Sequence, residues 1–454
     1  MMLRRLKVSQ TQSLLKSKRQ FARTAFTLAN RQPLDIAPDD VPLHKDAVAA
    51  SIAEPSLSTL GNGVRVASVD RAHPLVTIGV GIDAGSRFES HQTAGAAFFL
   101  SQIYLKSTQN KSSLGLTREL ELLSPNLRAV ASRNSIDFVG SVPRADAQTF
   151  AELLGEILRP TLREWEVNDA RDYVTRQAAA ALGNDTARAD ALLLAEAFRN
   201  QSLGRPLVLE RGAGDVSLGA LRSFVAETYV APRTIIVAHG LDHDVARRVA
   251  EAATASLPDG QEAPAPAKYV GGEVRLEVPS GVTHFTLAHS AAGVSTASLA
   301  VLRALLGREE IDSYKRIGSA ARLGKLSGKV PQARAYVKGV DDTALFGIRG
   351  VAQSGNVRAA VDEARHVLAS LASDVKSDEL RGAQARAIRR LYDTFSTHRI
   401  AKLLLRQTRN GAVRSAESMA EEIRSVTAAD IKKSAETLLK TKESFAAIGD
   451  VDGL

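Results

Sequence analysis

Residues 63–69, Gly-Val-Arg-Val-Ala-Ser-Val, alternate apolar and polar side chains, the period of a strand with one face buried. Gly272 to Val278 does the same. Val76 to Ile82 is apolar and β-branched and predicts a buried strand, and Thr283 to His289 repeats that character. Asp137–Gly140 and Leu345–Ile348 predict one more strand in each half. Helical spacing appears over Asp169–Leu182 and Ala189–Phe198. It appears again after Ser377, a predicted cap with Asp378 and Glu379 in the first turn, where Leu380, Ala383, Ala387, Ile388 and Leu391 form an apolar stripe. Gly85 and Gly95 bracket the passage from strand to helix in the first half.

These segments recur at one offset. The alternating strands, the buried strands, the Asp137 and Leu345 segments, Ala226-Glu227-Thr228 with Ala435-Glu436-Thr437, and Ala238-His239-Gly240 with Ala447-Ile448-Gly449 are all 207–209 residues apart. One such match means nothing, but five in order at one offset mean duplication. The expectation is an α+β chain of two homologous domains, each a sheet with helices packed on one face. A Pro-rich stretch, Leu257-Pro258-Asp259-Gly260-Gln261-Glu262-Ala263-Pro264-Ala265-Pro266, continues neither helix nor central strand. The expected order is a segment at 1–34, an extended leader at 35–56, a first domain at 57–256, a linker at 257–270 and a second domain at 271–454.

Charge changes the picture only at the start. The chain carries +9, which invites thoughts of nucleic acid. Residues 1–34 hold eight of the cations and no acid, with hydroxyl residues and Leu3, Leu6, Leu14, Leu15 and Phe21 interspersed. Arg-rich, acid-free and amphipathic is the composition of a mitochondrial presequence. Arg19-Gln20-Phe21-Ala22 resembles a matrix-peptidase cleavage site. The remainder is nearly neutral, which removes the argument for nucleic acid. With zero cysteines there are no disulfides, thiolate metal sites or iron–sulfur clusters. No apolar run reaches the length of a membrane span.

Candidate chemistry is sparse. His239 and His243 are spaced i,i+4 but follow a strand and read as surface histidines in a turn. His284 and His289 lie five apart in a strand and point to opposite faces. His73 and His91 fall in loops, and His366 and His398 are lone helical residues. Gly79-Val80-Gly81 lies inside a strand, where a phosphate-binding glycine loop does not belong. Glu164 and Glu166 diverge on a helix and read as a solvated face.

One window is informative. Asp83-Ala84-Gly85-Ser86-Arg87-Phe88-Glu89, followed by Gly95 to Thr108, resembles the active-site helix of the pitrilysin/insulinase-type metallopeptidases, which include the mitochondrial processing peptidase. Gly95, Ala97, Phe99, Leu100, Lys106 and Thr108 keep that frame. Under the resemblance, Phe98 and Gln102 stand at the two His ligand positions, Ser101 at the general base, and Gln177 at the third ligand. A catalytic zinc needs three ligands with available lone pairs, and Ser101 is no base near neutral pH. The resemblance therefore implies a non-catalytic member with no metal, no cofactor and no catalytic residue, whose frame persists because it packs the domain.

Thr283-His284-Phe285, Asp341 to Gly347, Ala352 to Val357 and the closing Ile448 to Leu454 resemble the core protein II members of this family, in ubiquinol–cytochrome c reductase (respiratory complex III). Gln201 to Pro206 also matches the family. That resemblance implies two homologous domains enclosing a cavity and a peripheral position on the matrix side of the mitochondrial inner membrane. It also implies a homologous core protein I as partner beside cytochrome b and cytochrome c1. The alternative is the α-type, substrate-binding subunit of the processing peptidase, which carries a glycine-rich loop. Here the corresponding Leu306 to Ser313 lacks consecutive glycines, with Gly318, Gly324 and Gly328 scattered.

Overall fold

The alternating run beginning at Gly63 forms a strand buried from Val66 to Val69, whereas Val274 and Leu276 in the run beginning at Gly272 are half-buried. The structure, a computed structural model, describes residues 54–70, 73–210, 212, 214–263, 268–307, 322–323, 333–340, 343–373, 375–393, 397–451 and 454. The expected presequence, most of the leader, the 308–313 loop with Gly318, Gly324 and Gly328, and Asp341-Asp342 lie outside the described residues.

In the first half the strands are β1 (Ser56–Thr59), β2 (Arg65–Val69), β3 (Leu75–Ile82), β4 (Arg128–Ala131), β5 (Ile136–Pro143) and β6 (Thr234–His239). Its helices are α1 (Ala96–Gln102), α2 (Ser113–Leu123), α3 (Ala147–Ile157), α4 (Glu164–Leu182), α5 (Asp185–Ala197), α6 (Leu218–Thr228) and α7 (His243–Thr254). The second half has strands β7 (Gly272–Glu277), β8 (Val282–Ser290), β9 (Arg334–Val340), β10 (Thr343–Gln353) and β11 (Ser444–Gly449). Its helices are α8 (Thr296–Leu306), α9 (Val357–Ala369), α10 (Ser377–Asp393), α11 (Thr397–Arg409), α12 (Ala416–Ser425) and α13 (Ala428–Lys440). Ser377 is itself the first helical residue of α10, and residues 257–263 run as irregular chain.

Sheet 1 has the order β1-β2-β6-β3-β5-β4 and sheet 2 the order β7-β11-β8-β10-β9. Each holds one parallel pair, β2 with β6 and β7 with β11, and the remaining pairs are antiparallel. The five internal echoes fall on matching elements: β2 and β7, β3 and β8, β5 and β10, α6 and α13, β6 and β11. Sheet 1 has one strand more. Its β1, Ser-Leu-Ser-Thr, pairs antiparallel with β2 at the edge; an exposed strand of mostly hydroxyl residues carries no apolar alternation and was not expected from the sequence.

Each half packs its own helices on one sheet face to form its main core, around Phe99, Phe138, Phe150 and Phe224 in the first half and Phe285, Phe346 and Leu302 in the second. The opposite face is closed by a helix from the other half. On sheet 1, Ala67, Val69, Val139, Ile235 and Val237 pack against Ile400, Ala401, Leu404 and Leu405 of α11. On sheet 2, Ala288, Tyr336, Leu345 and Ala446 pack against Leu193, Leu194 and Ala197 of α5. The glycines of β3 are explained by this helix. A Cβ on Gly79 would sit 3.4 Å from the Leu405 side chain, and one on Gly81 would sit 3.0 Å from it. Bare strand positions thus let α11 lie close.

Candidate functional site

After β3 the chain turns through Ser86–Phe88 and delivers Glu89 beneath the start of α1. The cap position is Gly95, with φ +84°, a conformation that side chains rarely adopt, and it offers no capping side chain. Glu89 supplies one instead. Its two carboxylate oxygens accept from the backbone N–H groups of Gly95 and Ala97, both at 2.9 Å. Glu89 is 2% exposed. Burial outweighs these two bonds and the nearby Arg205, and pushes its carboxyl up to about 7.

The helix held in this way carries residues expected at the ligand and base positions. Ala97, Phe99 and Leu100 are buried in the first core, and Phe98 joins them at 9% exposure. The Ser101 hydroxyl donates back to the Phe98 carbonyl at 2.7 Å, and the Gln102 amide donates to the Ser101 oxygen at 3.1 Å. Gln177 lies on the exposed side of α4. Burial raises the Tyr104 hydroxyl, and Tyr173 raises it further, so α4 passes near the end of α1 one turn before Gln177. Phe98, Ser101 and Gln102 therefore share one short helix, and Gln177 sits on α4.

The segment after α1 is tied down by buried carboxylates. Thr108 donates to Glu156 at 3.0 Å, Asn110 donates to the other Glu156 oxygen at 2.9 Å, and Arg159 pairs with the same group. Ser107 donates to Glu166 through its hydroxyl at 2.7 Å and its backbone N–H at 3.3 Å. Glu166 is thus a buried anchor, which corrects the expectation of a solvated face. The argument from i,i+2 divergence concerned only Glu164 as a partner and missed the loop folding over the first turn of α4. Glu89 was also missed. Its signal was a glycine-led helix with no capping side chain and an acid six residues upstream.

The histidines are corrected too. His239 is buried at the end of β6, and His243 opens α7, half-buried between Ser68 at 2.8 Å and Ser58 at 3.0 Å. His284 and His289 do face opposite ways, bonding Thr186 and the Thr441 carbonyl. Among the described residues, no group of three or more His, Asp or Glu side chains is placed to hold a metal ion. No helix among them is long and apolar enough to cross a membrane.

A cleft of about 920 Å³ opens at one end of sheet 1, lined among others by Arg65, Asp83, Arg87, Phe88, Asn134 and Arg409. On its floor Asp83 joins Arg409 at 2.6 Å and Arg65 at 3.3 Å, and Arg409 also approaches Asp137 at 3.5 Å. Arg65 in addition donates to the Arg409 carbonyl at 3.2 Å. This network holds the end of α11 to the first half.

Comparisons with known proteins agree with this architecture. Residues 65–210 match the family Insulinase (Peptidase family M16), and residues 215–387 match the Peptidase M16 inactive domain. The chain is 29% identical to the mitochondrial-processing peptidase subunit alpha of Solanum tuberosum, over 94% of this chain and 88% of the relative. It is 25% identical to cytochrome b-c1 complex subunit 2 of Mus musculus, over 94% of this chain and 95% of the relative. To the mitochondrial-processing peptidase subunit beta of Bos taurus it is 28% identical, over 68% of this chain and 66% of the relative. Two family domains in series on two sheets of one topology identify the chain as a member of peptidase family M16, the family of the processing-peptidase subunits and of cytochrome b-c1 subunit 2.

Proposed function

We propose that this chain is a non-catalytic structural and assembly subunit of respiratory complex III. It would be peripheral on the matrix side of the mitochondrial inner membrane and reach it through a removable presequence at 1–34. Its partners would be a homologous core protein I and the cytochrome b and cytochrome c1 subunits. The observation that carries this reading is the donor set on α1 and α4. The zinc of a family peptidase does not fit it: Phe98 has no lone pair and is packed in the core, Ser101 and Gln102 spend their donors on the helix and on each other, and Gln177 offers a neutral amide. Likeness to cytochrome b-c1 complex subunit 2 along almost the full length of both chains supports the choice of complex. On a native gel the protein is expected to co-migrate with cytochrome b, and migration apart from it overturns the assignment. Gently purified protein is expected to hold no stoichiometric zinc; one zinc per chain contradicts the reading of Phe98, Gln102 and Gln177.

A second reading has its own support. The likeness to a processing-peptidase alpha subunit covers just as much of this chain. Under it the chain binds presequences for a zinc-bearing β-type partner. Mixing the purified chain with such a partner then restores presequence cleavage, and no gain over the partner alone removes this alternative.

A further inference from the structure

The helix α5 is held on sheet 2 by a polar cluster in which, among the described residues, cations outnumber carboxylates. Asp190, buried on α5, has one oxygen 3.3 Å from Arg349 of β10 and 3.5 Å from Lys338 of β9. Strand register places these two cations on one face. Leu345 lies opposite Lys338 and Arg349 opposite Arg334, and alternation puts Leu345 on the same side as Arg349, where it packs against α5. Arg133 lies behind, within electrostatic reach of both Asp190 and Lys338, with its guanidinium on the carbonyls of Leu203, Arg205 and Ala191. Three cations thus surround one carboxylate. The other Asp190 oxygen is buried without a hydrogen bond, so the carboxylate does not use its full capacity on them.

Sheet 1 supplies the control. There a lent helix is locked by two carboxylates, Asp83 and Asp137, against Arg65 and Arg409, with Arg233 also within electrostatic reach of Asp83. Among these named groups the cations exceed the carboxylates by one at sheet 1 and by two at sheet 2. At sheet 2 the surplus sits in a half-buried place, where uncompensated charge is costly. Burial and the two guanidiniums hold the Lys338 ammonium below its ordinary range. The side chains of Lys338 and Arg349 are 36% exposed, so this edge of the cluster reaches solvent.

We infer that Lys338 and Arg349, backed by Arg133, form a site for a phosphate-type oxyanion at the edge of α5. A planar guanidinium beside a compact ammonium is a pair suited to a phosphate. The phosphate can be free or carried on a lipid headgroup, because both present the same oxygens.

The test uses the full chain. Inorganic phosphate is titrated by calorimetry and by thermal melting against chloride at equal ionic strength. In a second arm, phosphatidylglycerol vesicles are compared with neutral phosphatidylcholine vesicles. Saturable binding in the first arm supports the site with a free ligand, and binding in the second arm alone supports it with a headgroup. Lys338→Met is expected to weaken binding at least about tenfold, and Asp190→Asn to tighten it by a similar factor, as expected from removing one charge close to the anion. A purely structural ion pair predicts no tightening for Asp190→Asn. No binding in either arm, or binding unchanged in both variants, overturns the proposal.

Discussion

Sheet 1 receives α11 on a face that carries the acids Asp83 and Asp137, and the helix brings the cation Arg409. Sheet 2 receives α5 on a face that carries the cations Lys338 and Arg349, and the helix brings the acid Asp190. The apolar part of the two contacts is alike, with leucines and alanines of a helix lying on small and branched strand residues. The polar part is inverted. Duplication preserved what a sheet face demands of a covering helix, because an apolar stripe out of register would expose the core. It left the sign of the ion pairs free, because such pairs contribute little net stability and can be exchanged. A second contrast runs the same way. The first half buries five carboxylates, Asp83, Glu89, Glu156, Glu166 and Asp190, whereas the described residues of the second half bury none. All but Asp190 anchor the chain near α1 or the cleft.

The largest expected effect separates the two clamps. Arg409→Met takes from the buried Asp83 its 2.6 Å partner, and breaking a buried pair in this way costs about 3–5 kcal/mol. Denaturant midpoints should show that loss, and the double variant with Asp83→Asn should recover much of it. If Asp190→Asn, whose partners are more exposed, destabilises the protein just as strongly, the contrast between a more buried and a more exposed clamp is wrong.

The apolar parts should instead behave alike. Leu405→Ala on α11 and Leu194→Ala on α5 remove fully buried side chains, and each should cost about 2–5 kcal/mol. A difference well outside that range between the two would mean that one lent helix matters far more than the other.

The smallest effects concern helix starts. In the second half, α8 follows β8 with an ordinary cap, Ser295, whose hydroxyl accepts from Ser298 N–H at 3.1 Å. Ser295→Ala should cost about 1 kcal/mol at any pH. In the first half, the carboxyl of Glu89 is raised to about 7 from 4.5, so the folded state binds its proton more tightly than the unfolded state does. Its contribution is then fully present below about 4.5 and lost as pH rises toward 7. Glu89→Gln should flatten that part of the profile in urea melts at pH 5 and pH 7.5. An identical slope for both proteins would show that Glu89 titrates normally.

Much of the fold was legible in the sequence. The two strand repeats, the buried strands and the α10 stripe could be read because each depends on local periodicity and burial alone. So could the frame of α1, because residue types at 95–108 are visible without coordinates. Strand β1 was not legible, since an exposed edge needs no apolar alternation. Glu166 was misread because its partner Ser107 is 59 residues away. The glycines of β3 had no assigned reason until Leu405 was seen above them.

By itself the sequence determined that there are two related halves and where their buried strands run, and it carries the resemblance on which Phe98, Ser101, Gln102 and Gln177 are proposed to stand at the ligand and base positions of a peptidase. Only the tertiary structure decided that each half lends a helix to the other, and that Arg409 meets Asp83 across 326 residues of chain. It also decided which carboxylates are buried and that the cations around Asp190 outnumber it. The physical reason is that a hydrophobic pattern records that a face is covered, through the free energy of removing it from water, and says nothing of which distant segment covers it.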